Sequence, residues 1–344
     1  MAPLGGFAAF DGLVARDIIE VATDPAALDS GGWWVVVAPF EGGLRAYRFA
    51  EVVPEVLADR DCPDVPLHAW RSSMSRDQYL DAVDEIRAEI ARGWVYQVNL
   101  CRVLSAALPA PVDPIALYQR LSRGNPAPYA GLLSVPGELD VVCASPELML
   151  RRDADQVVSS PIKGTAATAD TMLDKDTAEN IMIVDLVRND LARVAVPGGV
   201  SVPQLLRVEP HPGLVHLVSD VAVRLRPDAG WSDILAAVLP AGSVSGAPKS
   251  SALEVIGRLE RAARDVYCGA FGWIDANKRE AQLAVAIRTF WQVPDGDGAL
   301  LRFGTGAGIT WGSDPSGEWD ETELKAHRLL RVLSGEVGRD ALLV

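Results

Sequence analysis

Strand patterns follow one another in runs along this chain and do not alternate strictly with helices. Apolar stretches of strand length lie at Trp33 to Phe40, Leu44 to Phe49, Val95 to Val103, Tyr129 to Val135 and Leu139 to Ala144. Strict alternation with helices would predict a parallel, doubly wound sheet, whereas runs of strands predict antiparallel pairing. We therefore expect an α+β fold.

Four helices are predicted among these strands. The first is the clearest, because Ser75 and Gln78 make a capping box and Gly93 ends the helical pattern. The others are predicted at about Leu173 to Val194, Pro248 to Ala263 and Glu318 to Leu333. Between the last two, the pattern predicts a hairpin of Tyr267 to Ile274 with Gln282 to Gln292, then a strand near Leu300 to Phe303.

The charge balance limits the class of partner. The chain has 344 residues, 49% of them apolar, and a net charge of -14 with no basic patch. Nucleic acids and anionic membranes would repel such a surface, so we expect neither as a partner.

The chain carries no pattern typical of export or of a membrane span. Met1 to Phe10 lacks the charged segment of a secretion signal, and no apolar run approaches the roughly 20 residues of a membrane helix. The cysteines are far apart, at Cys62, Cys101, Cys143 and Cys268, which fits thiols in a reducing compartment. We expect a cytoplasmic protein.

Lys163 stands in an unusual setting, the run Pro161 to Thr165 directly after a strand pattern at Gln156 to Ser159. A surface lysine is usually a solvated charge. At a strand-to-loop junction among small and apolar neighbours, however, burial lowers the pKa of the amine and makes it nucleophilic.

Two acidic pairs lie at helical spacing. Asp176 and Glu179 are three residues apart on the second predicted helix, and Glu318 and Glu321 are three apart on the fourth. Each pair projects from one helical face, and two facing pairs would supply oxygen ligands for Mg²⁺. For any one pair alone, a solvated surface is the simpler interpretation. The nearby Asp185, Arg188 and Asp190 are interpreted as structural ion partners.

Two glycine-rich segments do not fit the nucleotide-binding motifs. In Gly304 to Gly308 the third glycine is misplaced for a dinucleotide site, and Gly242 to Ser250 lacks the Walker spacing. Their backbone N–H groups still suit a carboxylate.

With these residues in view, the chain resembles the chorismate-utilising enzymes, which include anthranilate synthase large subunits, aminodeoxychorismate synthase component I, isochorismate synthases and salicylate synthases. The likeness runs from about Ser75 to the last helix. The blocks that carry it are Tyr96 to Leu100, Ser145 to Leu148, Pro161 to Thr165, Glu179 to Asp190, His216 to Ser219, Gly242 to Lys249, Ile287 to Thr289, Gly306 to Ile309 and Glu318 to Lys325.

The resemblance implies an anthranilate synthase component I-like fold, with two mostly antiparallel sheets packed together and helices outside. Residues 1–70 would supply amino-terminal strands of the same compact fold, and residues 71–338 would form the chorismate-binding catalytic domain. The amino-terminal part is short beside larger relatives, so we do not expect a regulatory tryptophan pocket.

The resemblance also selects one reaction. Members that add water to chorismate have a lysine base where this chain has Gln97, and members that form aminodeoxychorismate have a lysine at the position of Lys163. We therefore expect an enzyme that makes 4-amino-4-deoxychorismate, on the route to folate or another product of 4-aminobenzoate. The alternatives are an anthranilate or 2-amino-2-deoxyisochorismate synthase and, in another class, a non-catalytic chorismate-binding paralogue.

Residue roles follow from the same resemblance. Lys163 would attack C2 of chorismate, and Glu147 would protonate the departing 4-hydroxyl. Mg²⁺ would be held by Glu179 and Glu321, with Asp176 and Glu318 acting through water. The expected substrate-binding residues are Arg288, Lys325, Tyr267, His216, Thr165 and a turn formed by Gly306, Ala307 and Gly308.

The second substrate is expected to be ammonia. No cysteine lies in a glycine-flanked nucleophile turn of the kind a glutaminase needs. A separate glutamine amidotransferase subunit, or free ammonia, would then supply the nitrogen.

Overall fold

The structure of this chain is a computed structural model. It describes residues 5–166, 168, 170, 174–211 and 214–336, and the side chains of residues 165, 166, 174–176, 211 and 214 lie outside that description. Among the described residues, no helix is both long enough and apolar enough to cross a membrane.

The described residues form eighteen β-strands. They are β1 (Phe7–Phe10), β2 (Leu13–Ala22), β3 (Trp33–Ala38), β4 (Arg45–Pro54), β5 (Arg71–Ser72), β6 (Gln97–Leu108), β7 (Tyr129–Val135), β8 (Leu139–Ser145), β9 (Leu148–Asp153), β10 (Gln156–Ser160), β11 (Ile162–Ala166), β12 (Ala195–His211), β13 (Leu214–Leu225), β14 (Gly246–Ala247), β15 (Ala270–Asp275), β16 (Glu280–Val285), β17 (Thr289–Asp295) and β18 (Gly298–Ile309).

Seven α-helices lie between the strands of the described chain. They are α1 (Arg76–Ala91), α2 (Pro114–Gly124), α3 (Asp174–Ala192), α4 (Trp231–Val238), α5 (Gly242–Ser245), α6 (Lys249–Leu259) and α7 (Pro315–Leu333). The predicted capping box of Ser75 and Gln78 opens α1. The last helix begins three residues before its predicted start, because Asp314 accepts a hydrogen bond from the Gly317 N–H and Pro315 suits the first turn.

Every strand pair in the described chain is antiparallel, and the strands form one open sheet with two limbs. The first limb runs in the order β2, β4, β3, β15, β16, β9, β10, β13, β12, with β11 also paired to β13. The second limb runs β7, β8, β17, β18, β6, with β5 and β14 on β6. Strand β1 pairs with both β2 and β7 and so joins the limbs.

Two apolar cores explain how the layers pack. The larger core lies between the limbs, since Val36 of β3 and Val141 of β8 belong to one cluster. The smaller core lies between the second limb and two helices, where Val142 packs with residues such as Leu121 of α2 and Leu330 of α7. Val141 and Val142 point to opposite cores because side chains alternate along a strand. The predicted α+β class, with packed antiparallel layers and helices outside, is confirmed.

One predicted strand is interrupted at a functionally important place. The stretch Gln282 to Gln292 forms two strands, β16 and β17, separated by residues 286–288. Strand β16 pairs with β9 and β15 of the first limb, whereas β17 pairs with β8 and β18 of the second. The interruption is thus the point at which the chain crosses between the limbs.

Candidate active site

A cavity of about 1200 Å³ lies where β6 and β18 of the second limb meet β11 of the first. Helices α3 and α7 form two further walls of the cavity. The predicted residues that line it are Lys163, Glu147, Arg288, Lys325, Tyr267, His216, Gly306, Gly308, Glu179, Glu318 and Glu321. The side chains of Thr165 and Asp176 lie outside the described residues, and Ala307 is buried away from the cavity.

Lys163 lies within a strand and not in the loop that the sequence predicts. Ile162 of β11 pairs with Val218, and Thr165 pairs with His216, so Lys163 and Gly164 together face the single residue Leu217. This two-against-one arrangement is a β-bulge, and Gly164 supplies its positive φ of 91°. Ile162, Lys163 and Gly164 all line the cavity, whereas consecutive residues of a regular strand would alternate in direction. The bulge therefore turns Lys163 into the cavity.

The surroundings of Lys163 shift the protonation equilibrium of its amine towards the neutral form. Burial lowers the pKa of Lys163, and the negative charges of Glu179 and Glu147 oppose that shift only in part. The side chain lines the cavity. An unprotonated amine at this position is a nucleophile.

Glu147 lies in the short link between β8 and β9, and only 4% of its surface is exposed. Burial raises the pKa of Glu147, while hydrogen bonds from Ser243 and from the Ile162 N–H and the positive charge of Lys163 act in the opposite direction. A buried carboxyl with a raised pKa keeps its proton to higher pH than an exposed one, which suits a general acid. Ser243 was not predicted as a site residue, although it lies in the glycine-rich segment Gly242 to Ser250.

The predicted turn at Gly306 to Gly308 is part of strand β18. Gly306 lies opposite Cys101 and Gly308 opposite Asn99 of β6. Glycines are required here because a Cβ on Gly306 would lie 2.5 Å from the Cys101 Sγ, and one on Gly308 would lie 2.5 Å from the Gln97 Nε2. Close packing, and not a change of chain direction, explains these glycines.

The strand nevertheless presents N–H groups to the cavity. The Gly306 carbonyl accepts a hydrogen bond from Lys325 Nζ at 3.1 Å, and the opposing Cys101 N–H donates to Glu260 at 2.8 Å. Neither group therefore takes part in the hydrogen bonds between β6 and β18. In an antiparallel strand the N–H and C=O of one residue point the same way and alternate along the chain. The N–H groups of Gly306 and Gly308 therefore face away from β6, on the side of the cavity.

Arg288 is held in an uncommon backbone conformation, with φ of 51°. It lies at the interruption between β16 and β17, and its carbonyl accepts the Ala144 N–H at 3.1 Å. Burial and the nearby Arg328 lower the pKa of Arg288, and its guanidinium makes no ion pair within the described part of the chain. A partly buried guanidinium without a protein anion suits a ligand carboxylate.

Two buried side chains on β6 also have polar atoms without protein partners. These are both amide atoms of Gln97 and the Nδ2 of Asn99. Gln97 Nε2 and Lys163 Nζ both lie near Gly308, at 2.5 and 3.5 Å from the position of a Cβ built there. Buried polar groups are normally satisfied, so these amides indicate that a polar ligand or water belongs at this end of the cavity.

The carboxylates predicted to bind metal approach the cavity from two helices. Glu179 projects from α3, and Glu318 and Glu321 project from α7. In the described residues, no three carboxylate, imidazole or thiolate side chains form a group that holds a metal as it stands. Glu321 instead lies 2.6 Å from Lys325 Nζ. Carboxylate oxygens are nevertheless the donors that Mg²⁺ prefers, so the chemistry of these side chains fits that ion.

The interpretation of Asp185, Arg188 and Asp190 as structural ion partners is correct for each residue's having a partner, but the three do not form one cluster. Asp185 and Arg188 pair with each other at 2.9 Å, but they are exposed on the outer face of the helix. Asp190 is buried and pairs with Lys249 at 2.6 Å. The helix turns these neighbours to different faces, which the sequence order does not reveal.

A comparison with known proteins settles the family. The sequence profile described as chorismate binding enzyme matches residues 50–331. The chain belongs to the chorismate-binding enzymes. Anthranilate synthase component 1 1 of Haloarcula marismortui is 37% identical over 325 residues, covering 88% of this chain and 65% of the relative. Aminodeoxychorismate synthase component 1 of Klebsiella aerogenes is 37% identical over 278 residues, covering 77% of this chain and 60% of that relative.

The fold of this chorismate-binding enzyme is also that of a solved relative. The anthranilate synthase component I of Streptococcus pneumoniae superposes with a TM-score of 0.77 at 24% identity, covering 96% of this chain and 91% of that one. The chain spans less than two thirds of the length of the two curated relatives. Since relatives with different names match at equal identity, the comparison establishes the family and leaves the individual reaction open.

Proposed function

We propose that this chorismate-binding enzyme is component I of an aminodeoxychorismate synthase. Such an enzyme replaces the 4-hydroxyl of chorismate with an amino group and keeps the enolpyruvyl side chain. The observation that supports this choice is Lys163, which a β-bulge turns into the cavity that Glu147 also lines, and whose pKa is lowered by burial. A nucleophile supplied by the protein separates amination at C4 from direct amination at C2.

In the first step, the Lys163 amine forms a bond to C2 as the C4–O bond breaks. The two ring double bonds shift by one position, and Glu147 gives its proton to the departing hydroxyl, which leaves as water. The Lys163 nitrogen then returns its surplus proton to Glu147. The product of this step is a covalent adduct between Lys163 and the ring.

In the second step, ammonia attacks C4 and the bond between Lys163 and C2 breaks. Glu147 protonates the departing lysine nitrogen, and the ring double bonds return to their first positions. The new ammonium group loses a proton to Glu147, which restores the starting enzyme. The sum is chorismate plus ammonia giving aminodeoxychorismate plus water.

Binding groups on two segments suit the two carboxylates of chorismate. Arg288 offers a fork of N–H donors, and β18 offers the N–H groups of Gly306 and Gly308. Tyr267, which packs against Gly304, and His216 form apolar and aromatic walls. Glu179 and Glu321, with Asp176 and Glu318 through water, would hold Mg²⁺, which when bound supplies positive charge for the ring carboxylate.

Gln97 supports amination over hydration. Its amide lies close to Lys163 and Gly308, but an amide has no basicity with which to remove a proton from water. Ammonia is itself nucleophilic and needs no such base. We propose a glutamine amidotransferase subunit as its source, in keeping with the component 1 names of the relatives.

An anthranilate synthase is the second candidate, because relatives of that name match as well as those called aminodeoxychorismate synthase. The two are distinguished by incubating the protein with chorismate, Mg²⁺ and ammonium and separating the products by liquid chromatography. We expect 4-amino-4-deoxychorismate without pyruvate. Anthranilate with an equal amount of pyruvate would overturn the proposal, and absence of any turnover would favour a non-catalytic paralogue.

A further inference from the structure

Asn180 is a buried polar residue with no role in the steps described above. It lies on α3 one residue after Glu179, and only 1% of its surface is exposed. Its side chain points towards the bulge in β11 and away from solvent. A fully buried amide must use its hydrogen-bonding groups within the protein, so its partners indicate what it does.

The Asn180 amide uses both its donor and its acceptor atom. Its Nδ2 donates to the Lys163 carbonyl at 3.3 Å and to the Leu217 carbonyl at 2.9 Å. Its Oδ1 accepts from the Ser219 hydroxyl at 2.6 Å, and the Ser219 oxygen accepts from the Leu206 N–H at 2.9 Å. One side chain thus ties α3 to both strands of the bulge, and through Ser219 to β12.

The bulge decides the direction of the Lys163 side chain. Its extra residue interrupts the β11–β13 ladder. The two carbonyls that accept hydrogen bonds from Asn180 belong to the bulged residue Lys163 and to Leu217 opposite it. Without the extra residue, Lys163 would alternate with Ile162 and face away from the cavity. Whatever satisfies those carbonyls stabilises the arrangement that turns the amine inward.

We propose that Asn180, supported by Ser219, is a positioning residue that holds the β11 bulge and so aims Lys163 at the substrate. This inference rests on the proposed role of Lys163 as the nucleophile. Asn180 does not touch the reacting atoms. Because it follows Glu179 on the same helix, it also links the position of the lysine to that of the Glu179 carboxylate.

The test replaces Asn180 with leucine, which has a similar size and cannot form hydrogen bonds. We expect Asn180→Leu to lower kcat at least tenfold while the Kd for chorismate changes less than threefold. The rate at which the Lys163 adduct forms without ammonia should fall by the same factor as kcat. Rapid quenching and intact mass spectrometry measure that rate. Asn189→Leu is the matched control, because Asn189 is exposed on the same helix; it should behave as the unchanged protein.

Ser219→Ala gives a second, milder variant. It removes the hydroxyl that orients the Asn180 amide but keeps both carbonyl contacts, so we expect a two- to fivefold loss of kcat. Ser219→Thr retains the hydroxyl and should recover most of it. If Asn180→Leu does not fold, judged by circular dichroism, the two Ser219 variants decide the question. A folded Asn180→Leu protein with unchanged kcat, or with kcat and Kd affected equally, would overturn the proposal, as would an unchanged Ser219→Ala protein.

A chemical probe separates this inference from the proposed function. Trinitrobenzenesulfonate labels amines without chorismate chemistry, and peptide mass spectrometry reports its rate at Lys163. We expect that rate to change at least threefold in Asn180→Leu and not in Asn189→Leu. If the unchanged protein forms no chorismate adduct, the proposed function fails, yet the labelling rates still test the positioning. Equal labelling of Lys163 in all three proteins would show that Asn180 does not aim it.

Discussion

Two buried basic side chains, Arg264 and Lys163, lie near strand β6, and they differ in how fully the protein pairs them. Arg264 is 1% exposed at its side chain and pairs with Glu260 at 2.6 Å. It also donates to the Val244 carbonyl at 2.7 Å and to the Asn99 carbonyl at 2.8 Å. Lys163 reaches Gly308 of the neighbouring strand β18, and its side chain lines the cavity.

Their pKa values move in opposite directions. Burial alone would lower the pKa of Arg264, but Cys101 and Glu260 outweigh it and raise the value well above the ordinary one. Burial lowers the pKa of Lys163, and Glu179 and Glu147 do not compensate. A buried charge that the protein satisfies completely is part of the scaffold, whereas one left incompletely satisfied in a cavity is available for chemistry.

The largest expected effect comes from removing Lys163. We expect Lys163→Ala to lower the rate of amination at C4 by about 10³-fold or more, because the adduct can no longer form. Chorismate should still bind, and the melting temperature should not fall, since the unfavourable burial of the amine outweighs its attraction to Glu179 and Glu147. Product formation and chorismate titration measure the two expectations. Retained amination would exclude the covalent route.

The next effect concerns the proton donor. Glu147→Gln keeps the shape of the side chain but cannot protonate the leaving hydroxyl, so we expect kcat to fall about 10²- to 10⁴-fold with little change in binding. Steady-state kinetics with ammonium checks this. An activity within threefold of the unchanged protein would mean that another group is the acid.

Removing the satisfied cation should damage stability and not chemistry. Arg264→Met leaves Glu260 buried without its partner, so we expect the free energy of unfolding to fall by about 3–5 kcal/mol. Urea denaturation measures the change. The activity per folded molecule should stay within tenfold, because Arg264 does not line the cavity.

A double variant sharpens that comparison. Arg264→Met with Glu260→Leu removes both charges and should recover part of the lost stability, since a buried pair often contributes little more than apolar residues of the same size. Recovery will be incomplete because Glu260 also accepts the Cys101 N–H. If the double variant were fully folded but inactive, Arg264 would have a role in catalysis, which would contradict its assignment as a purely structural residue.

The smallest expected effect is a shift in pH dependence. The Ser243 hydrogen bond stabilises ionised Glu147 and so lowers the pKa of that carboxyl. Ser243→Ala removes the bond, which raises the pKa further. Glu147 must be protonated to act as an acid, so the limb of the profile of kcat against pH that reports Glu147 should move to higher pH. The limb that reports loss of the Lys163 proton should stay in place. Movement of the Glu147 limb to lower pH would contradict this role for Ser243.

The sequence predicted the parts of the fold that depend on local patterns. The antiparallel class, the helices α1, α3, α6 and α7 and the strand β7 are typical cases, because periodicity and caps report directly on local structure. Helix α2 was missed although Asp113 and Pro114 open it, since its apolar pattern is short. The candidate residues were found mainly through resemblance, and the structure brings most of them around one cavity.

Features that depend on contacts between distant parts of the chain could not be predicted from the sequence. The bulge at Lys163 exists only because β11 pairs with β13, more than fifty residues further on. The network of Asn180 joins three separate elements, and the left-handed conformation of Arg288 has no local signal in a non-glycine residue. The glycines of β18 were interpreted as a turn because their real cause, close packing against β6, is not local either.

The central claim is that the amine of Lys163 attacks chorismate. Intact mass spectrometry after mixing the protein with chorismate and Mg²⁺ in the absence of ammonia tests it most directly. We expect a mass increase of chorismate minus one water, located at Lys163 by peptide mapping, absent in Lys163→Ala and released when ammonium is added. No adduct, or an adduct at another residue, in a protein that still makes aminodeoxychorismate would contradict the claim.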